Sequence, residues 1–171
     1  EGLTIVISPL ISLMKDQVEQ LRQLGVNTAL LNSSLSRDVC QKNFESVKNG
    51  KAKLLYLAPE SLVKEDISKL LKTVKLDCIT IDEAHCISEW GHDFRPEYRN
   101  LKNIIKLLGD VPVIGLTATA TPKVQEDILK NLDMSNATTF KASFNRPNLF
   151  YEVRTKTKNI EADIIRFIKQ Q

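Results

Sequence analysis

Cysteine is scarce in this 171-residue chain: Cys40, Cys78 and Cys86 are the only three, and no two form a Cys-x-x-Cys pair. An odd count without close pairing argues against a disulfide scaffold and fits a reducing compartment. Cys78, His85, Cys86 and His92 have the wrong spacing for a common zinc finger. Aromatics are equally sparse, at 6% with a single Trp. No apolar run approaches the roughly 18 residues of a membrane span. The N-terminus lacks the basic-then-apolar pattern of a secretory signal, so no membrane partner is expected. A strong charge of one sign is also missing, since 24 basic and 21 acidic residues leave +3. A dedicated electrostatic binder of nucleic acid is far more basic, so any such contact must come from local motifs.

What the chain does have is alternation. Its length suffices for one domain with a real core and at most a fragment of a second. Residues 4–8, 28–31, 53–58, 77–81 and 111–116 are short apolar runs without polar alternation, as expected of strands covered on both faces. Between them lie helical faces: Met14, Val18 and Leu21; Cys40, Phe44 and Val47; Val63, Ile67, Leu70 and Val74. Pro96 opens another, with Tyr98, Leu101, Ile105 and Leu108, and Thr121 caps one carrying Val124, Ile128 and Leu132. Strands alternating with helices predict an α/β fold, a parallel sheet with right-handed crossovers and helices on both faces. From Ser143 the texture changes: residues 144–148 read as a turn or linker, 149–153 as a short strand, and Ile160, Ile164 and Ile168 mark a last helix. A domain boundary is expected there, giving residues 1–142 and 143–171.

In such sheets ligands bind beyond the carboxyl ends of the strands. Ser8-Pro9, Pro59-Glu60, Asp82-Glu83 and Thr117-Ala118-Thr119 each follow an apolar run. Adjacent carboxylates at the tip of a buried strand need solvent, a cation or a hydrogen-bond network. Nucleoside triphosphate hydrolysis supplies such a need, because one carboxylate holds the magnesium and another group orients the water. A helix-capping acidic turn is the plainer alternative. Trp90 and Phe94 could offer faces for a stacked base, with Arg95 as a phosphate or cation–π partner; equally they could plug a long loop. Arg146 is either a solvated linker residue or a group that couples two domains.

Ser8-Pro9-Leu10, Pro59-Glu60, Asp82-Glu83-Ala84-His85 and Thr117-Ala118-Thr119 occur in the order of motifs Ia, Ib, II and III of superfamily 2 helicases. The stretch from Cys86 to Tyr98 resembles the aromatic-rich loop of RecQ-family DNA helicases, and residues 144–149 resemble that family's connection into its second motor domain. The resemblance covers essentially the whole chain and implies a RecA-like sheet with the start of a second RecA-like domain. It implies ATP and Mg2+ as cofactors, single-stranded and partly duplex DNA as partners, and 3′-to-5′ unwinding in the nucleoid or cytoplasm, or in the nucleus of a eukaryote. By the same resemblance Asp82 holds the metal, Glu83 polarises the water, and His85 links them to Thr117 and Thr119. Trp90, Phe94 and Arg95 sense single-stranded DNA. Ser8, Pro9, Leu10, Pro59 and Glu60 line its path, and Arg146 couples the domains.

No Gly-x-x-x-x-Gly-Lys-Ser/Thr loop is present to cradle phosphates, and Gly50-Lys51-Ala52 lacks both the glycine spacing and the hydroxyl. In the family that loop lies upstream, so the expectation is a motor truncated at both ends. Such a piece should not hydrolyse ATP by itself, and loss of an inner strand should disturb the sheet or promote self-association. Two other classes stay open: another superfamily 2 translocase acting on RNA, and a non-catalytic nucleic-acid or protein-binding module.

Overall fold

The computed structural model describes residues 2–143, 145–153, 155–156 and 158–170. Phe144, in the expected linker, lies outside them. The chain divides into two compact units, residues 1–137 and 138–171.

The first unit is built on five parallel strands: β1 (Leu3–Ile7), β2 (Thr28–Leu31), β3 (Leu54–Leu57), β4 (Leu76–Ile81) and β5 (Val113–Gly115), ordered β2-β3-β1-β4-β5. Side chains alternate across a strand. On one face Ile5, Ile7, Leu55, Leu57, Ile79 and Ile81 are sealed. They pack against α2 (Arg37–Lys48), α3 (Glu65–Thr73), α5 (Leu101–Leu108) and α6 (Pro122–Leu132) through Val47, Leu70, Leu101 and Val124, among others. On the other face α1 (Ile11–Gln23) sets Met14 and Val18 against Leu30, Tyr56 and Ala58. Burying one side chain of this kind contributes roughly 1.5–3 kcal/mol, so the larger cluster dominates stability.

Four expectations change. The helix expected from Val63 begins at Glu65, because Pro59–Ser61 first form a 3-10 turn that leaves Val63 exposed. The helix opened by Pro96 is two pieces, α4 (Pro96–Arg99) and α5, joined at Asn100. Strand β5 is shorter than residues 111–116, since Pro112 has no N–H for a ladder and contributes only its carbonyl, which accepts from Ile79 N at 2.9 Å. The sheet is also undisturbed: the ladders run parallel and in register apart from one shift between Leu3 and Thr4. At the edge of the sheet, β5 leaves Ile114 and Leu116 about half exposed, in keeping with the expected open pairing edge.

In the second unit a turn is closed by Leu149 N donating to Arg146 O at 2.9 Å, and Arg146 is exposed. Residues 149–153 form no strand, for they have no ladder partner among the described residues. Helix α7 (Ile160–Gln170) carries the expected Ile160, Ile164 and Ile168.

Candidate functional site

Strands β1, β4 and β5 are neighbours, so whatever follows them in sequence meets at one edge. The backbone sews that edge together. Asp82 N donates to Ile7 O at 2.8 Å, Leu116 N to Ile81 O at 2.9 Å, and Ala84 N to Leu116 O at 2.8 Å. The chain then turns sharply at Glu83, which holds φ +49° and ψ +45°, a left-handed conformation costly for a residue with a Cβ. A 3-10 turn over Ala84–Ile87 follows and buries all four residues.

Asp82 and Glu83 remain half-buried rather than sealed. Asp82 Oδ2 accepts from Ser8 Oγ at 3.2 Å and Oδ1 from Glu83 N at 3.0 Å, and no lysine or arginine pairs with it among the described residues. A carboxylate with two weak donors and no cation keeps lone pairs for a hard ion. No three His, Cys, Asp or Glu side chains cluster as a self-sufficient metal site among the described residues.

His85 is the hub. Its Nδ1 lies 2.9 Å from Thr117 Oγ1, 3.2 Å from Glu83 Oε2 and 3.5 Å from Thr119 Oγ1. Burial, and then the neighbouring His92, lower its pKa, outweighing Glu83, so the neutral ring is favoured. Glu83 can only accept, which assigns a proton to Nδ1. The Cys86 thiol beside it is pushed up to about 11 by burial, with Asp93 adding to the effect, and is inert at neutral pH.

The loop after this turn reaches back to the same cluster. His92 stacks on His85 with ring centroids 4.2 Å apart. Arg95 donates to Asp93 Oδ2 at 3.2 and 3.1 Å and to Pro9 O at 3.1 Å, tying the loop to the end of β1. Arg99 donates to Ile87 O at 2.9 Å and lies 5.5 Å over the Phe94 ring. Trp90 is 65% exposed, and Lys123 Nζ sits 3.1 Å from its ring centroid.

Asp82, Glu83, His85, Thr117 and Thr119 are therefore one bonded cluster, with Ser8 attached through Asp82 and Pro9 through Arg95. Other expected residues sit differently. Ser8, Pro9 and Pro59 are buried, so the hydroxyl expected to meet a strand of DNA is given to Asp82 instead; Leu10 and Glu60 are the exposed members of that set. Arg95 is committed to Asp93 and Pro9 rather than free. A cleft of about 330 Å³ between α2 and α3, lined by Asn32, Arg37 and Lys64 among others, contains none of the cluster. Tyr98 and Lys123 were missed as site residues. Tyr98 fits a helical core stripe, yet its hydroxyl donates to Asp82 O at 3.1 Å. Nothing in the residue pattern pairs Lys123 with Trp90.

An acidic strand tip, linked through His85 to hydroxyls just beyond the next strand and to the loop that carries His92, gives an α/β domain with its polar cluster at the carboxyl ends of its strands. The DEAD/DEAH box helicase family matches residues 1–128. The chain is 48% identical over 154 residues to the ATP-dependent DNA helicase RecQ of Bacillus subtilis, covering 90% of this chain and 26% of that protein. It is 44% identical over 168 residues to the ATP-dependent DNA helicase Q1 of Rattus norvegicus, covering 94% and 27%. The chain thus spans about a quarter of the length of these relatives. The helicase domain of Pyrococcus furiosus Hef shares the fold, with a TM-score of 0.54 and 20% identity over 77% of this chain and 28% of that one. The chain belongs to the DEAD/DEAH box helicase family, on its RecQ side, and its sheet is RecA-like.

Proposed function

We propose that the chain works within an ATP-driven DNA helicase that moves 3′ to 5′ along single-stranded DNA and separates duplex ahead of it. The observation that carries this reading is the continuous set of contacts from Glu83 through His85 and His92 to the loop bearing Trp90. Asp82 is the residue that would hold Mg2+; the ion, when bound with the triphosphate, neutralises charge on the phosphate oxygens. Glu83, aimed by its left-handed backbone, orients the attacking water and accepts its proton. His85 holds Glu83 and the threonine segment in one arrangement, so a shift in the loop is felt at the carboxylate. Trp90 supplies the stacking face, worth about 1–3 kcal/mol per base. A strand-following motor of this kind belongs where DNA is, in the nucleoid, cytoplasm or nucleus, and three free cysteines suit a reducing compartment. Self-association of the 171-residue piece taken by itself, through the open edge of β5, is a separate part of the proposal.

The test uses the full-length helicase that contains this chain. Glu83→Ala should abolish turnover and leave nucleotide affinity within about threefold. Trp90→Ala should lower DNA stimulation of turnover far more than DNA affinity. Equal losses of both would return Trp90 to the role of a packing plug, and stimulation by RNA as strong as by single-stranded DNA would favour an RNA translocase.

A further inference from the structure

Lys123 occupies one face of the chain's only tryptophan. It lies in the first turn of α6, one residue after Pro122, and its Nζ sits 3.1 Å from the Trp90 ring centroid, well within the range of a cation–π contact. Its ammonium has no carboxylate partner among the described residues, so the ring is what holds it. The backbone that carries the indole is held in place: Trp90 N donates to Ser88 Oγ at 3.2 Å, and Gly91 N to Ser88 O at 3.0 Å. At 65% exposure the ring is nonetheless open to solvent away from the lysine. The same helix braces the rest of the loop, because Asp127, one turn on, approaches Arg99 at 4.0 Å, and Arg99 lies over Phe94.

From this geometry we infer that Lys123 is a phosphate-binding residue held in reserve on Trp90. When a base of single-stranded nucleic acid stacks on the indole, the ammonium leaves the ring for the phosphate of that nucleotide. Lysine suits such an exchange, as a point charge on a flexible four-carbon stem. A stacked base outweighs a solvent-exposed cation–π contact, so the exchange runs toward the bound state. Lys123 sits four residues after Thr119 and two after the Thr121 cap. Its movement therefore takes place at the start of the helix that follows the threonine segment. The inference rests on the proposed role of Trp90 as a nucleic-acid contact.

The experiment titrates the 171-residue chain with a fluorescein-labelled oligothymidylate, reading oligonucleotide anisotropy and the emission of the single tryptophan. Lys123→Gln should change the emission intensity before any oligonucleotide is added. It should weaken binding about three- to fivefold at low salt and reduce the slope of log affinity against log salt by about 0.7, one phosphate contact on a single strand. Quenching at saturation should persist, and Lys123→Arg should keep both affinity and slope. Unchanged affinity and slope in Lys123→Gln, with tryptophan quenching intact, overturn the exchange and leave Trp90 as the contact. Emission of Lys123→Gln superimposable on the parent's overturns the ring contact itself. Absence of quenching in the unmodified chain, with Trp90→Ala binding as tightly, sinks the Trp90 role and the exchange together.

Discussion

Replacing Tyr98 with Phe isolates one hydrogen bond at the centre of the site. The ring is wholly buried, and its hydroxyl donates to Asp82 O at 3.1 Å, the carbonyl of the peptide that leads into the left-handed Glu83. Burial, reinforced by the nearby Cys86 and Asp82, pushes the phenol far above its usual range, so it remains a donor at neutral pH. Tyr98→Phe keeps the ring and opens no cavity. A neutral hydrogen bond contributes about 0.5–1.5 kcal/mol net, and more is lost only when the stranded partner is fully dry. Asp82 is half-buried, which places the expected loss near 1 kcal/mol. For a unit of this size that corresponds to a fall in Tm of about 3–4 °C. Tyr98→Ala, which also empties the ring volume, should cost about 3–5 kcal/mol. Urea titrations followed by far-UV circular dichroism separate the cases, with the m-value unchanged in Tyr98→Phe. No measurable loss in Tyr98→Phe, or a loss equal to that of Tyr98→Ala, would refute the assignment of the hydroxyl.

Two further outcomes follow from the same region. A Cβ at Gly91 would lie 2.6 Å from His85 O, so Gly91→Ala must shift backbone, costing about 1–3 kcal/mol and moving the tryptophan emission as Trp90 leaves Lys123; unchanged emission and stability would contradict the packing. His85 is favoured neutral by burial and then by His92, so its folded pKa lies below its ordinary 6.5. The unfolded chain therefore takes up the proton first on acidification: the stability it contributes is complete above about pH 6.5 and is lost as pH falls through the folded value. An NMR titration should give His85 a midpoint below 6.5 that rises in His92→Ala, whereas a midpoint above 6.5 would reverse the sign.

Much of this was legible before any coordinates. Residues 4–8 and 77–81 form strands as expected, but burial alternates along them instead of sealing both faces: Ile5, Ile7, Ile79 and Ile81 are sealed while Thr4, Val6, Cys78 and Thr80 are half-buried. Thr121-Pro122 marks a helix start because one side chain caps and the next residue needs no amide donor. The meeting of the segment after β4 with the one after β5, made by His85 and Thr117, was readable as well, since both follow strands of one parallel sheet. What escaped were properties that periodicity does not encode. Tyr98 fits an apolar stripe, and only its position beneath the turn gives its hydroxyl an acceptor. Ser8 follows a strand in the same way as Thr117, but its hydroxyl turns inward to Asp82. Arg95 is spoken for by Asp93, two residues away, and by a carbonyl 86 residues distant in sequence. Residues 149–153 have the composition of a strand but no ladder partner among the described residues, which no local pattern reveals.

The left-handed backbone at Glu83 separates durability from usefulness at one position. Glycine or asparagine would relax that torsion at little steric cost, so the sequences that fold best there are ones without the carboxylate that meets His85. A library of this domain sorted for heat resistance alone should drift away from glutamate at position 83.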